Sequence, residues 1–106
     1  MKREIRQVTA TEITNIAGGK SELSVEAEVQ TFNGNEKLSL VEADPQGINP
    51  KILLLDVAVS TYGPGTDVLG YQTVTFKKSI SAGQYTDVTV NADGNSKTAK
   101  VTVIPS

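Results

Sequence analysis

Alternation of apolar and polar residues runs through most of the chain and predicts extended strands. In the clearest case, Leu23, Val25, Ala27 and Val29 alternate with polar residues between positions 22 and 30. Strict alternation over nine residues is typical of a strand with one buried and one solvated face. The whole pattern predicts seven extended segments, over residues 4–16, 22–30, 36–43, 51–61, 68–78, 84–92 and 97–104.

Two local patterns predict where the chain bends. In the first segment the apolar positions change phase between Ile5 and Ile13, which indicates a β-bulge or a switch between sheets. After the second segment, Asn33-Gly34 is the strongest two-residue hairpin signal, because both positions tolerate a positive φ. We therefore expect the third segment to pair back on the second, with Leu38 and Leu40 facing inward.

The fourth segment is apolar on both faces. Leu53 and Leu55 lie on one face, and Ile52, Leu54 and Ala58 lie on the other. Two interpretations are open. The strand is central with both faces covered, or its second face is an exposed apolar patch that binds a partner.

Composition favours an all-β chain of one domain. Twelve Val, twelve Thr and seven Ile make up 31 of 106 residues, and stiff branched side chains favour pleated surfaces. Seven short strands in about 100 residues are typical of an antiparallel β-sandwich. We expect one such sandwich over residues 1–106, with an up-and-down barrel as the competing architecture.

The last two strands carry a pattern that resembles the F–G hairpin of immunoglobulin-like domains. Its glycine, tyrosine, asparagine and second glycine match Gly83, Tyr85, Asn91 and Gly94. Asp87 stands where such domains have their second cysteine, and the sequence has no tryptophan. The resemblance implies an Ig-like Greek-key sandwich without a disulfide. It also implies that Tyr85 is a tyrosine corner, whose hydroxyl bonds to backbone a few residues upstream.

The residue inventory argues against most catalytic and metal chemistry. The chain has no cysteine and no histidine, which excludes thiolate nucleophiles, zinc–thiolate sites and imidazole ligands. Asp93-Gly94-Asn95 resembles the start of a calcium loop, but a hairpin turn is the favoured interpretation. We expect no catalytic residue, no metal site and no cofactor.

Charge and hydropathy narrow the range of partners. A net charge of −2 gives no electrostatic footprint for nucleic acid. The longest apolar run, residues 52–55, is far shorter than the roughly 20 residues that span a membrane, so no membrane insertion is expected. The basic residues at positions 2, 3 and 6 predict either a frayed terminus or a docking segment for an acidic neighbour.

With catalysis, metal binding, nucleic-acid binding and membrane insertion set aside, the sequence favours binding to a protein. The candidate interface consists of the apolar face of the fourth segment and two tyrosines: Ile52, Leu54, Ala58, Tyr62 and Tyr71. We expect a non-enzymatic structural or interaction module with a protein partner or a homo-oligomer, and a glycan is possible. Small Ig-like proteins decorate the capsids or tails of phages, so the resemblance implies a virion surface protein. The alternative is an Ig-like domain of a bacterial cell-surface protein or adhesin; both settings place the chain at a virion or cell surface rather than in the cytoplasm.

Overall fold

The computed structural model describes residues 3–15, 20–65 and 70–105, and it shows an all-β fold in which these residues form no helix. Its strands are β1 (Ile5–Asn15), β2 (Lys20–Thr31), β3 (Glu36–Glu42), β4 (Ile52–Thr61), β5 (Gly70–Ser81), β6 (Asp87–Ala92) and β7 (Asn95–Pro105). All seven predicted segments correspond to strands. Residue 16 of the first predicted segment and residues 68 and 69 of the fifth lie outside the described residues.

The seven strands form one mixed sheet in the order β3-β4-β6-β7-β1-β2-β5. Four neighbouring pairs are antiparallel, but β1 pairs with β7 in parallel and β4 pairs with β6 in parallel. The prediction of a purely antiparallel arrangement is therefore wrong. Alternation along a strand reveals which side chains face the core, but it carries no information about which strands become neighbours.

The two terminal strands of the sheet meet, so that the sheet curls into a nearly closed barrel. β3 packs against β5, and side chains join them. The Gln72 amide oxygen accepts the backbone N–H of Leu38 at 2.6 Å, and Lys78 donates to Glu42 at 2.8 Å. We call this junction the seam.

Alternating side chains fill the interior, as the pattern predicts. The predicted inward face of β2 is confirmed, because Leu23, Val25, Ala27 and Val29 are almost completely buried. Leu38 and Leu40 are buried as predicted, and Leu53 and Leu55 are the buried face of β4. Fully burying such a side chain contributes about 1.5–3 kcal/mol, so these aliphatic residues are the main source of stability. The other buried apolar side chains are Ile5, Ala10, Val74, Ile80, Val88, Val90 and Ala92.

The predicted pairing of β3 with β2 is wrong. A turn does form at residues 32–35, but β3 leaves β2 and pairs with β4. Gly34 does not adopt a positive φ, whereas Asp93 (φ 38°) and Gly94 (φ 87°) do. The tight hairpin therefore forms at Asp93-Gly94, between β6 and β7. At the earlier turn, the Glu36 carboxylate accepts the Phe32 N–H at 2.8 Å, which holds the chain in a different path.

The predicted irregularity in β1 is confirmed. The register with β2 shifts between Ile5 and Gln7. After the shift Ala10 and Glu12 face inward and are buried, whereas Ile13 is 41% exposed on the outer face. The bulge thus decides that a glutamate, not an isoleucine, enters the interior.

Strand directions give the barrel two distinct ends. The Arg3 end carries Arg3, the turn at residues 32–35 and the hairpin turn at Asp93-Gly94. The loop end carries the loop over residues 43–51 and the turn over residues 82–86. No helix within the described ranges is long and apolar enough to cross a membrane.

Candidate functional site

Arg3 seals one end of the barrel. Its side chain is buried, and its guanidinium makes a bidentate contact with Glu36, at 2.9 Å from Nη1 to Oε1 and 2.8 Å from Nη2 to Oε2. Nε donates to Asp93 at 2.6 Å, and the guanidinium carbon lies 4.4 Å from the centre of the Phe32 ring. Neither a frayed terminus nor a docking segment describes this residue, which ties three chain segments together.

The same contacts shift the pKa values of Arg3 and Glu36 in opposite directions. The hydrogen bonds from the Arg3 guanidinium lower the pKa of Glu36 to about 2, with a further contribution from the backbone N–H groups of Phe32 and Asn33. The Glu36 carboxylate in turn raises the pKa of Arg3. Both side chains therefore stay charged at neutral pH. Arg3, Glu36 and Asp93, which we call the Arg3 cluster, close this end of the barrel with two ion pairs. The Asp93 carboxylate accepts a hydrogen bond from Arg3 at this end, and the predicted turn at residues 93–95 forms the hairpin between β6 and β7.

Glu12 is a second buried acid, near the loop end. It is 1% exposed, and both of its carboxylate oxygens lie 3.3 Å from the backbone nitrogen of Gly83, which donates to them. The carbonyl oxygen of Gly83 accepts from Lys51 at 2.9 Å. Gly83 has a φ of 73°, a conformation that glycine adopts without steric cost. Glu12 and Lys51 therefore fix the turn over residues 82–86 from two sides.

The structure does not bring the predicted interface residues together. Ile52, Leu54 and Ala58 are half-buried on the outer face of β4. Tyr71 lies near the start of β5, at the Arg3 end of the barrel, where its hydroxyl bonds to Glu4 and its ring stacks under Arg6 at 4.4 Å. Tyr62 is 63% exposed just beyond the end of β4. The five residues therefore spread from the loop end, where Ile52 lies, to the Arg3 end, where Tyr71 lies.

A loop covers part of the apolar face of β4. Gln46 holds it in place, because its amide donates to the carbonyl oxygens of Ala43 and Leu54, at 2.7 and 2.9 Å, and accepts the Leu54 N–H at 2.9 Å. A Cβ added at Gly47 would lie 3.2 Å from the Leu54 side chain, so the loop backbone packs directly on Leu54. The half-burial of Leu54 is explained by this contact.

The same loop carries the most exposed aliphatic side chain among the described residues. Ile48 stands at full exposure, although its loop is fixed on both sides. Gln46 holds the residues before it, and the Asn49 side chain accepts the Lys51 N–H at 2.9 Å after it. Binding residues are often found on loops that a rigid scaffold holds in place, and Ile48 stands on such a loop.

Beside this loop lies a cleft of about 310 Å³. The loop over residues 43–51 forms one wall, and the turn over residues 82–86 forms the other. Its lining is uncharged and includes Gln46, Asn49, Pro50, Ile52, Gln84 and Tyr85. Two residues that the sequence singled out meet in this cleft: Ile52, from the candidate interface, and Tyr85, from the Ig-like pattern.

Tyr85 has a different contact from the one that the Ig-like resemblance implied. Its ring packs partly against the core, and its hydroxyl accepts a hydrogen bond from the Lys78 ammonium at 3.3 Å. The bond therefore runs to a side chain of β5 rather than to backbone a few residues upstream. Glu42 and Tyr85 both raise the pKa of Lys78, so the tyrosine is linked to the seam.

Comparison of the chain with protein-family models, curated proteins and solved structures finds no match.

Sequence reasoning missed the buried charged residues Arg3, Glu12 and Glu36. For Glu12 a signal was present, because it continues the two-residue period that Val8 and Ala10 begin. For Arg3 and Glu36 no local signal existed, because they lie 33 positions apart and meet only when the barrel closes. Within the described ranges, no group of three or more acidic residues is arranged to hold a metal ion.

Proposed function

We propose that the protein is a non-enzymatic interaction module that docks on another protein through its loop end. The observation that carries this proposal is Ile48, which is fully exposed on a loop that hydrogen bonds hold on both sides. Exposing an aliphatic side chain on an ordered loop brings no benefit to folding, but it suits insertion into a partner's apolar pocket.

The fixed loop also favours binding energetically. Association costs about 0.5–1.5 kcal/mol for each flexible side chain that becomes ordered, and loop ordering adds to this. Gln46 makes three hydrogen bonds to the backbone of Ala43 and Leu54. Because the loop is ordered before binding, much of this cost falls on folding rather than on association.

The charged pairs of the barrel support a structural role. Arg3 joins Glu36 and Asp93, and Lys78 joins Glu42. Each of these pairs connects elements that are distant in sequence. Their hydrogen bonds and pKa shifts are thus explained by holding the barrel together, without reference to a substrate.

The proposed fold family is a rearranged Ig-like Greek key. The pairings β1–β2, β2–β5 and β6–β7 correspond to the A–B, B–E and F–G neighbours of Ig domains. The departure lies in β4, which inserts between β3 and β6, antiparallel to β3 and parallel to β6. In the setting that this resemblance implies, the chain is a small capsid decoration or tail protein on a virion surface.

Site-specific photo-crosslinking tests the docking proposal. A photoreactive amino acid is placed at position 48 and, as a control, at the exposed position 75 on the outer face of β5. We expect the probe at position 48 to crosslink to one defined protein in the native source, and the probe at position 75 not to do so. A virion protein as the captured species supports the virion setting, and a host surface receptor supports the adhesin setting. Equal crosslinking from both positions, or none from position 48, overturns the proposal.

A further inference from the structure

The cleft at the loop end has a lining that suits a small uncharged ligand. Its volume of about 310 Å³ lies at the lower limit of ligand sites, which span roughly 300–1,000 Å³. No charged residue lines it. The lining combines side-chain amides with one aromatic ring, one proline ring and the aliphatic side chain of an isoleucine.

Two of the amides are oriented by the backbone. The Asn49 side-chain oxygen accepts the Lys51 N–H at 2.9 Å, and the Gln84 side-chain oxygen accepts the Ser81 N–H at 2.9 Å. In each case the bond uses the oxygen and leaves the amide NH₂ donors for another partner. Gln46, by contrast, uses both its oxygen and its nitrogen within the loop.

Tyr85, Ile52 and Pro50 supply the apolar part of the cleft. The Tyr85 ring is held against the core and by Lys78, and Ile52 is half-buried at the start of β4. A ligand with polar groups on its edge and C–H groups on one face would meet amide donors and an aromatic surface together. Sugars have this combination.

An extended peptide fits the cleft less well. Peptides that add to a sheet need a strand edge with free backbone donors and acceptors. β4 runs beside the cleft, but it is paired with β3 on one edge and with β6 on the other. The wall therefore offers side-chain donors rather than a backbone ladder.

We propose that the cleft between the loop over residues 43–51 and the turn over residues 82–86 binds a neutral saccharide, with Asn49 and Gln84 as donors and Tyr85 as the ring beneath it. This site goes beyond the docking function, because Ile48 is not part of its lining. Glu12 is a positioning residue for the site, since it holds Gly83, the neighbour of Gln84.

The test is a titration of isotope-labelled protein followed by NMR. Glucose, galactose and N-acetylglucosamine are each added to about 100 mM, because a shallow site for one sugar is expected to bind in the millimolar range. Triglycine amide serves as the carbonyl-rich peptide probe. At least one sugar is expected to shift the side-chain NH₂ signals of Asn49 and Gln84 and the ring signals of Tyr85, whereas the peptide leaves them unchanged.

Variants decide where the sugar binds. Gln84→Ala is expected to weaken binding at least about fivefold, and Gln7→Ala, an exposed glutamine on β1, leaves it unchanged. Asn49→Ala provides a second test if Gln84→Ala disturbs the turn. Three results overturn the proposal: no sugar shifts these signals, the peptide shifts them instead, or both cleft variants bind as tightly as Gln7→Ala. Crosslinking from position 48 is independent of these results, so the two proposals fail separately.

Discussion

Arg3 and Asp93 lie 90 positions apart in sequence, yet the Arg3 guanidinium donates to the Asp93 carboxylate at 2.6 Å. The contact links the start of β1 to the hairpin that joins β6 and β7. Glu36 completes the cluster from the start of β3. One buried cation thus joins β1, β3 and the β6–β7 hairpin at this end of the barrel.

Replacing Glu36 by Gln is expected to destabilise the protein by about 3 kcal/mol. Removing one partner of a buried ion pair costs roughly 3–5 kcal/mol, and Arg3 retains Asp93 as a second partner, so the lower value applies. Urea unfolding measures the change. Glu26→Gln, on the exposed face of β2, is the matched control and is expected to stay within about 0.5 kcal/mol of the parent. Equal stability of the two variants would contradict a stabilising role for the Arg3–Glu36 pair.

Acid is expected to weaken the same pair. The pKa of Glu36 is about 2 in the folded protein, against about 4.3 in an unfolded chain. A lowered pKa contributes stability that is complete above pH 4.3 and is lost as the pH falls towards 2. Urea midpoints measured between pH 6 and pH 2 should therefore fall more steeply for the parent than for Glu36→Gln. Parallel curves for the two proteins would exclude Glu36 as a source of the acid sensitivity.

Neighbouring leucines of β4 should respond differently to the same substitution. Leu53 is completely buried, whereas Leu54 is half-buried beneath the loop. An aspartate at position 53 puts an unpaired charge into the core, so Leu53→Asp is expected to abolish folding. Leu54→Asp is expected to cost about 1–3 kcal/mol and to leave a cooperative fold. Circular dichroism during thermal unfolding measures both. A Leu54→Asp chain without a cooperative transition would show that this face is core.

The two glycine turns make another matched pair. Gly94 has a φ of 87°, a region that costs other L-residues roughly 1–2 kcal/mol. Gly94→Ala is therefore expected to lower the free energy of unfolding by about that amount. Gly34 does not have a positive φ, so Gly34→Ala is expected to be close to neutral. The reverse order of effects would place the tight hairpin at Asn33-Gly34 after all.

The seam should open locally when Gln72 is removed. Its side chain accepts the backbone N–H of Leu38, and no backbone ladder joins β3 to β5. Gln72→Ala is expected to speed hydrogen exchange at the Leu38 amide by about tenfold, which corresponds to roughly 1.4 kcal/mol of lost protection. Exchange at Val25, in the middle of β2, serves as the internal reference. Unchanged protection of Leu38 would mean that Gln72 does not hold the seam.

The sequence predicted the strands and the core well, because both follow from a local period. Alternation placed Leu23 and Val25 inside, and the composition limited the chain to an all-β fold. Neighbour relations could not be predicted in this way. Asn33-Gly34 has the better hairpin chemistry, but the Glu36 carboxylate bonds to Phe32 and Arg3 and directs β3 to β4 instead.

The candidate site was predictable only in part. The apolar face of the fourth segment singled out Ile52, and the Ig-like resemblance singled out Tyr85. Both residues line the cleft. Asn49, Gln84 and Ile48 were not singled out, because loop amides and single aliphatic residues have no periodic signature. The significance of Asn49 and Gln84 comes from the approach of two loops that are more than 30 residues apart in sequence, and that of Ile48 comes from its full exposure.

The parallel pairing of β1 with β7 also determines when the protein can fold. Ala10 lies beside Val101 and Thr14 beside Pro105, so β1 cannot be covered on that edge until the last strand has left the ribosome. Chains dominated by such distant pairings fold in milliseconds to seconds rather than microseconds. During synthesis the apolar residues of β2 and β4 are present without their final neighbours, and such transiently exposed apolar surface favours aggregation until the sheet closes.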